Sequence, residues 1–202
     1  MKGLAATGVG AVDCARHDMK CLLAVGDLLK GEQYGVYSFC LHNKLMTKFG
    51  SYVNMDYMFF LSLTLAQLDK ILEIIISYDI VCQWSVNVWE QMKAYPYWMH
   101  TGHDGVRSFH FLILKFHLPA HIMACQTVFL FNFNRHVGRT DGEAPEHNWS
   151  QINAAATSTA KMGPGHRQDT HDNHFSDINW RKTMLMGTSS LTWCFTYLLN
   201  AL

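Results

Sequence analysis

The sequence predicts a mixed α/β domain, and the alternation of two kinds of segment along the chain carries this prediction. Short apolar runs typical of strands, at residues 8–12 and 78–82, are separated by segments with helical spacing, at residues 65–77 and 146–156. Alternating strands and helices are typical of α/β and α+β domains. A chain of 202 residues, 49% of them hydrophobic, is long enough to bury one core.

The first half of the chain contributes most of the predicted strands. Residues 8–12 are predicted as a short strand that runs into a loop, and residues 26–32 as a turn-rich segment. Residues 52–65 are aromatic and apolar, and they predict a strand leading into a helix. Residues 65–77 have helical spacing, whereas the β-branched run at 78–82 is predicted as a buried strand.

The second half is predicted to be mostly helical. Residues 87–94 are expected to form a helix, and a further helix is predicted over 118–131, where Pro119 suits the first turn. Pro145 is expected to start a helix over residues 146–156.

The six cysteines are irregularly spaced and include no C-x-x-C pair, so they do not indicate a secreted disulfide framework. The first residues lack the apolar stretch of a signal peptide, and no apolar run approaches the length of a membrane span. We therefore expect an intracellular, reduced protein that does not enter a membrane.

The charge composition argues against autonomous DNA binding. Charged residues make up 16% of the chain, against roughly 25% in ordinary domains. The formal net charge is zero, although DNA binders usually carry a basic excess that neutralises phosphates.

Asp79 is an acid inside the predicted apolar strand at 78–82. A buried acid is costly unless it is paired, hydrogen-bonded or bound to a metal. Asp79 therefore has two interpretations: it caps the turn that follows, or it is a metal ligand displayed at the edge of a sheet.

A second acidic segment spans residues 138–150 and contains Asp141, Glu143 and Glu146. Each acid alone is explained as a solvated loop residue or, for Glu146, as the complement of a helix N-terminus. Together with Asp79 they indicate a divalent-cation site, and carboxylate oxygens suit Mg²⁺ or Mn²⁺.

A third group contains His117, His121 and Cys125, spaced four residues apart, so a helix would place them on one face. Cys14 and His17 form a separate C-x-x-H pair. Zinc takes Cys and His ligands in a tetrahedral shell, so a structural Zn²⁺ site is one interpretation. The other interpretation is buried cysteines beside histidines with ordinary hydrogen-bond partners.

Eight strings in this sequence are similar, in the same order, to landmarks of the Kyakuja–Dileera–Zisupton (KDZ) transposases of fungi. They are CARH (14–17), GDLLKGE (26–32), YVNMDY (52–57), SYDIVCQW (77–84), KFHLPAH (115–121), GRTDGEAPEHNWS (138–150), STAKMGPGHRQDT (158–170) and DNHFSDINWRK (172–182). The chain therefore resembles that family over most of residues 6–182.

The resemblance implies an RNase H-like domain with a triad of acids that holds two Mg²⁺ or Mn²⁺ ions and cleaves and joins DNA. Asp79 matches the second acid of this DDE triad. Glu146 is preferred as the third acid, since it begins the predicted helix, and Glu143 is the alternative. Transposon DNA as partner and a nuclear location follow from the same resemblance.

Three departures from the family pattern lead us to expect a fragment that is inactive alone. The family's Asp-Ala-Asn-Phe strand, which carries the first acid, has no counterpart here, so the domain is expected to be incomplete and to lack its first strand. Residues 34–51 are predicted to be an 18-residue insertion in a partial domain spanning 1–182. Residues 183–202 are predicted to be a divergent tail.

Two other functions remain open. One is a non-catalytic host protein derived from a transposase, which binds nucleic acid or protein. The other is a zinc-dependent hydrolase that uses the His and Cys residues named above.

Overall fold

The computed structural model describes residues 8–28, 53–66, 71–100, 107–135, 137 and 140–199. Within this part of the chain the strands are β1 (Gly8–Cys14), β2 (Met19–Leu28), β3 (Glu73–Ser77) and β4 (Ser108–Leu112). The α-helices are α1 (Val53–Leu65), α2 (Val81–Trp84), α3 (Val88–Met92), α4 (Met123–Val128), α5 (Ala144–Thr159) and α6 (Pro164–Leu199). Short 3₁₀ turns occupy Tyr97–Met99, Leu118–Ala120 and Phe131–Phe133. This mixed architecture agrees with the predicted α/β class.

Strands β1 and β2 form an antiparallel hairpin whose pairing runs from Gly8 opposite Leu28 to Cys14 opposite Met19. The connecting turn ends at Asp18, which has a positive φ of 57°. The sequence predicted only β1, since Gly26 and its neighbours were assigned to a turn. That assignment is wrong for the end of β2, which continues to Leu28.

Helix α1 packs against this hairpin and is apolar nearly all round. Six consecutive residues are buried, from Met58 to Leu63, which is typical of a helix enclosed by other elements rather than lying at a surface. The helix approaches the hairpin closely at Gly10, where a Cβ atom would lie 2.7 Å from both Met55 Sδ and Met58 Cε. A strand leading into this helix was predicted within residues 52–65, but residues Val53–Leu65 are all helical.

Strands β3 and β4 pair in parallel, from Glu73 opposite Ser108 to Ser77 opposite Leu112. The prediction of a helix over 65–77 is therefore wrong for Glu73–Ser77. The prediction of a strand over 78–82 is also wrong, because β3 ends at Ser77 and α2 begins at Val81. A short apolar run fits either periodicity, and here the consecutive isoleucines form the strand.

The core lies between α1, the parallel strands and the short helices α2 and α3. Trp84 is at its centre, because its ring meets the rings of Phe59 and Tyr78 edge-on at centroid distances of 4.9 and 5.8 Å. The fully buried members of this cluster are Phe60, Val81, Val88, Met99 and Ile113.

The helix predicted over 118–131 is interrupted. Leu118–Ala120 is a 3₁₀ turn, His121 is extended with ψ of 158°, and α4 starts only at Met123. The expectation that His117, His121 and Cys125 share one helix face is therefore wrong. Pro119 ends up in the short 3₁₀ turn instead of starting a long helix.

Two long helices close the described chain. Helix α5 confirms the prediction for residues 146–156, and Pro145 lies in its first turn as expected. Helix α6 spans 36 residues and was not predicted; it runs through Lys182 to Leu199, so part of the predicted tail continues this helix. The predicted insertion at 34–51 lies outside the described residues.

Candidate functional site

The first candidate residue, Asp79, lies just beyond the carboxyl end of β3. After Ser77 the chain stays next to β4 for one more residue, because Tyr78 N donates to Leu112 O at 3.1 Å. Asp79 then lies in a turn, and its Oδ1 accepts a hydrogen bond from Ile80 N at 2.9 Å. Asp79 is thus a half-buried acid at the edge of the parallel pair, and not a residue within a strand.

The acidic loop before α5 reaches the same edge. Ser77 Oγ donates to Gly142 O at 3.3 Å, and Lys115 N donates to Asp141 O at 3.1 Å. Gly142 has a φ of +81°, and a Cβ atom there would lie 2.6 Å from the ring of Phe131. Only glycine fits this position, and its tight turn brings the residues that follow it to the end of β3.

Glu143 is the buried acid of this loop. Its Oε1 accepts a hydrogen bond from Phe116 N at 2.8 Å, and its own backbone N donates to Asp141 Oδ1 at 3.0 Å. Its second oxygen, Oε2, is buried and has no hydrogen-bond partner among the described residues. A buried carboxylate oxygen without a partner is unfavourable, so Glu143 Oε2 is a place where a cation or a water would be stabilised.

Glu146 lies in the first turn of α5 and is exposed. Its Oε1 is 3.6 Å from His117 Nε2, so the histidine proposed as a zinc ligand lies beside a carboxylate. Asp79, Glu143 and Glu146 thus belong to segments that meet at one end of the parallel pair. They do not come within 4.8 Å of one another as a group of three in the described part of the chain.

Cys82, His121 and Cys125 form a compact group of sulfur and nitrogen atoms, and Cys82 lies three residues after Asp79. Cys82 Sγ, on α2, is 3.5 Å from His121 Nδ1, and Cys125 Sγ completes a set of atoms that all lie within 4.8 Å of one another. This Cys-His-Cys group could bind a metal ion. Burial raises the pKa of the Cys82 thiol to about 11, and the neighbouring Cys125 adds to that shift.

His121 and Cys125 were predicted from the sequence as possible zinc ligands, whereas Cys82 was not. A sequence signal for Cys82 exists, because it lies three residues after Asp79 in the string SYDIVCQW. The pair Cys14 and His17 lies at the hairpin turn, with Sγ and Nδ1 3.4 Å apart, and it is not part of the Cys-His-Cys group.

A buried polar network around the hairpin was also missed. Lys20 Nζ binds Asp13 Oδ2 at 2.8 Å, and the side chains are only 2% and 1% exposed. Asn148, fully buried on α5, donates to Asp13 Oδ1 and to Asp18 O, both at 3.1 Å. Lys182 on α6 donates to Asn148 Oδ1 at 2.6 Å. This network joins the hairpin to both long helices.

Burial shifts the pKa of both Asp13 and Lys20. It raises the pKa of Asp13 above the ordinary value, and the attraction of Lys20 opposes that shift. It lowers the pKa of Lys20, and Asp13 opposes that shift in turn. The Lys20 ammonium also lies over the ring of Trp149 at 4.7 Å and over that of Phe175 at 5.1 Å. Each charge is therefore stable in the core only while its partner is present.

The chain thus forms a mixed α/β domain. It carries acids at one end of the parallel pair and the Cys-His-Cys group on segments nearby in the sequence. The family model described as Kyakuja-Dileera-Zisupton transposase matches residues 1–179, so this chain belongs to the KDZ transposase family. The resemblance stated from the eight sequence strings is thereby confirmed. No curated protein and no solved structure matches the chain significantly. Among the described helices, none combines the length and the apolar character that crossing a bilayer requires.

Proposed function

We propose that this chain is a DDE-type transposase domain whose acids Asp79 and Glu146 form part of a phosphodiester-cleaving metal site. The observation that carries this proposal is the contact between Ser77 Oγ and Gly142 O, 3.3 Å, which joins the end of β3 to the acidic loop. This contact, between residues 65 positions apart, brings the segments that carry Asp79 and Glu146 to one edge of the parallel pair. Family membership adds DNA transposition as the activity from which the domain descends.

An RNase H-like arrangement is the fold we propose for the domain. The order of an antiparallel hairpin, a helix and a parallel strand pair supports it. The positions of the acids support it further, since Asp79 follows a strand of the parallel pair and Glu146 begins a helix. DNA as the partner and a nuclear location are proposed with it, on the basis of the family.

The acids at this edge fit a hard divalent cation such as Mg²⁺ or Mn²⁺. Glu143 Oε2 is a buried carboxylate oxygen without a hydrogen-bond partner in the described part of the chain, and carboxylates are the ligands that these ions prefer. Asp79 and Glu146 would hold the ion, with Glu143 as the alternative to Glu146. When bound, the ion would lower the pKa of a coordinated water and stabilise charge on a phosphodiester. His117 would orient the Glu146 carboxylate that it contacts.

We further propose that this chain does not cleave DNA by itself. Two-metal catalysis needs ligands that fix two ions roughly 3.5–4 Å apart, and only two acids of the triad are matched here. Another acid in the first part of the described chain, such as Asp13 or Asp56, would have to replace the first acid. Asp13 is bound to Lys20 and Asn148, and Asp56 Oδ1 accepts a hydrogen bond from Trp84 Nε1 at 2.6 Å. Both acids are thus engaged inside the core.

A second candidate function is a non-catalytic, transposase-derived binding protein. The observation that favours it is that Lys20, Lys182 and Arg167 point inward, to Asp13, Asp18 and Asp27 respectively. These cations are not available for phosphates, in agreement with a net charge of zero. The zinc-dependent hydrolase stays a prediction, and it would need the Cys-His-Cys group to hold zinc with an exchangeable water.

Binding of Mn²⁺ to the purified chain, followed by electron paramagnetic resonance, tests the metal site. We expect Asp79→Asn and Glu146→Gln each to weaken binding by at least ~10-fold, on the scale of a lost metal contact. Glu90→Gln is the matched control, because Glu90 is an exposed acid paired with Lys93. Weakening by Glu143→Gln and not by Glu146→Gln would reassign the third acid, and unchanged binding in all three variants would refute the site.

Cleavage of supercoiled plasmid in Mn²⁺ tests the second part of the proposal. We expect no nicking by the chain alone above the level of the Asp79→Asn variant. Robust nicking that Asp79→Ala abolishes would show that another residue supplies the first acid.

A further inference from the structure

The ligand atoms of the Cys-His-Cys group are spaced as in a metal-binding site. Cys82 Sγ and His121 Nδ1 are 3.5 Å apart, and Cys125 Sγ lies within 4.8 Å of both. In a tetrahedral zinc site, bonds of about 2.3 Å to sulfur and about 2.0–2.1 Å to nitrogen put the ligand atoms roughly 3.5–3.8 Å from one another. The sulfur-to-nitrogen distance already matches, and Cys125 needs only a small movement to complete the arrangement.

The local structure holds two of these residues in place. His121 is extended, and its carbonyl oxygen accepts a hydrogen bond from Gln126 Nε2 at 2.6 Å. Cys125 N donates to Ile122 O at 2.9 Å in the first turn of α4. The break in the helix at His121 therefore brings an imidazole and a thiol together from the same short segment. These hydrogen bonds fix the backbone from which both side chains project.

The third ligand comes from a distant part of the chain. Cys82 lies on α2, 39 residues before His121. Cys82 and Cys125 both pack against the edge of the aromatic core, and all three residues are half-buried, so solvent can reach the group. A metal ion here would join α2, and with it the turn that carries Asp79, to the segment around α4.

We propose that Cys82, His121 and Cys125 bind one Zn²⁺ ion, with a solvent molecule as the fourth ligand. Two thiolates and an imidazole are a soft ligand set, which selects zinc over Mg²⁺ or Mn²⁺. This site is separate from the carboxylates of Asp79, Glu143 and Glu146, which suit hard ions. The ion would connect α2 to the segment around α4, which lies 39 residues further along the chain. Its solvent ligand leaves the fourth position open, as a zinc-dependent hydrolase would also require.

The experiment measures zinc in the full chain, purified without chelator and then dialysed against zinc-free buffer. We expect close to one zinc per chain by inductively coupled plasma mass spectrometry. Replacement by Co²⁺ is expected to give intense visible bands typical of tetrahedral cobalt and a thiolate charge-transfer band in the near ultraviolet.

Three variants and one matched control locate the ion. Cys82→Ser, Cys125→Ser and His121→Ala are each expected to lower zinc affinity by more than ~100-fold, because altered outer-shell groups alone cost about 10–100-fold. Cys14→Ser is the control, since Cys14 is a cysteine with its own histidine partner, His17, outside the group. It is expected to keep both the zinc and the cobalt spectrum.

Folding of each variant is checked separately by circular dichroism and by thermal unfolding with and without added ZnCl₂. We expect zinc to raise the unfolding temperature of the unsubstituted chain and of Cys14→Ser, and not that of Cys82→Ser. The unsubstituted chain is also equilibrated with free zinc at a concentration well above the dissociation constant of a structural zinc site. Less than about a tenth of an equivalent of bound zinc under that condition would overturn the proposal. So would a cobalt spectrum that Cys82→Ser leaves unchanged.

Discussion

The hairpin side of the molecule and the end of the parallel pair differ in whether their buried carboxylates have a cation as partner. On the hairpin side, Asp13, Lys20 and Asn148 satisfy one another, and Lys182 closes the network from α6. At the end of the parallel pair, Glu143 keeps one buried oxygen without a hydrogen-bond partner in the described part of the chain. The pair of Asp13 and Lys20 is complete without a ligand, although Asp18 Oδ1 beside it is also buried without a hydrogen-bond partner among the described residues. Glu143 has no such paired cation in the described part of the chain, so a ligand would improve its arrangement.

This difference separates acids that are paired inside the core from the acids that we propose as metal ligands. Asp13 precedes CARH and Asp27 belongs to GDLLKGE, and both pair with cations from other elements, Lys20 and Arg167. His171 on α6 is a further group on the hairpin side with unsatisfied atoms, since it is buried and its ring nitrogens have no hydrogen-bond partner among the described residues. Burial, followed by the charge of Arg167, lowers its pKa, so it is neutral where it lies.

The largest effect is expected from breaking the buried ion pair with Lys20→Met. Asp13 would then be a buried carboxylate without its cation, and removing one partner of such a pair costs about 3–5 kcal/mol. Urea unfolding followed by circular dichroism measures this loss in the free energy of unfolding. The double variant Asp13→Leu with Lys20→Met is the control, and it should recover most of the stability because no charge is left unpaired. A loss below about 1 kcal/mol in the single variant would show that solvent reaches Asp13.

Asp56 is an intermediate case, a buried acid that accepts a hydrogen bond from Trp84 and has no ion-pair partner among the described residues. Burial raises its pKa to about 6, and the hydrogen bond from Trp84 opposes the shift. In the unfolded chain its pKa is lower, so the unfolded state ionises first as the pH rises. The free energy of unfolding should therefore fall between about pH 4 and pH 6, by roughly 3 kcal/mol for a shift of this size.

Asp56→Asn tests this linkage. The amide oxygen can still accept the hydrogen bond from Trp84 Nε1, but it carries no charge, so the decline in stability over that pH range should be lost. The variant is expected to be more stable than the unsubstituted chain at pH 7 and about equal to it at pH 4. Urea unfolding at a series of pH values measures both, and a parallel pH dependence in the two proteins would exclude Asp56 as the cause.

The sequence predicted the elements that have strong local signals. Helix α5 follows from Pro145, and β1 follows from a short apolar run before polar residues. Strand β3 was mistaken for a helix, since isoleucines fit both periods until pairing with β4 decides. Helix α6 was missed because its residues are mostly polar and its apolar positions form no continuous face.

The candidate sites were predictable to the extent that their residues are neighbours in sequence. His121 and Cys125 were found through their spacing, although a break in the helix, and not a helical face, brings them together. Cys82 lies 39 residues away from His121, and nothing local connects the two. The polar network likewise joins Asp13 to Asn148 across 135 positions, and only tertiary structure shows such pairs.

A smaller effect on stability is expected at the end of the parallel pair. Asp79→Asn and Glu143→Gln should each change the free energy of unfolding by less than about 1 kcal/mol in metal-free buffer. The amide oxygens can still accept the hydrogen bonds from Ile80 N and Phe116 N. Urea unfolding with chelator present measures this. A loss as large as that of Lys20→Met would place these acids with the structural ones.

The smallest effect is expected in the middle of α6, where the exposed Arg181 lies 2.5 Å from Asp177. The same helix holds Arg167 against Asp27 with only 8% of the arginine side chain exposed, whereas the side chains of Arg181 and Asp177 are 72% and 51% exposed. Water screens the exposed pair, so Asp177→Asn should cost at most about 0.5 kcal/mol. Urea unfolding at low and at raised NaCl measures this, and the small difference should shrink further with salt. A cost above about 1 kcal/mol that salt does not reduce would mean that this surface is covered in the folded protein, and exposure would then no longer distinguish this pair from the pair of Arg167 and Asp27.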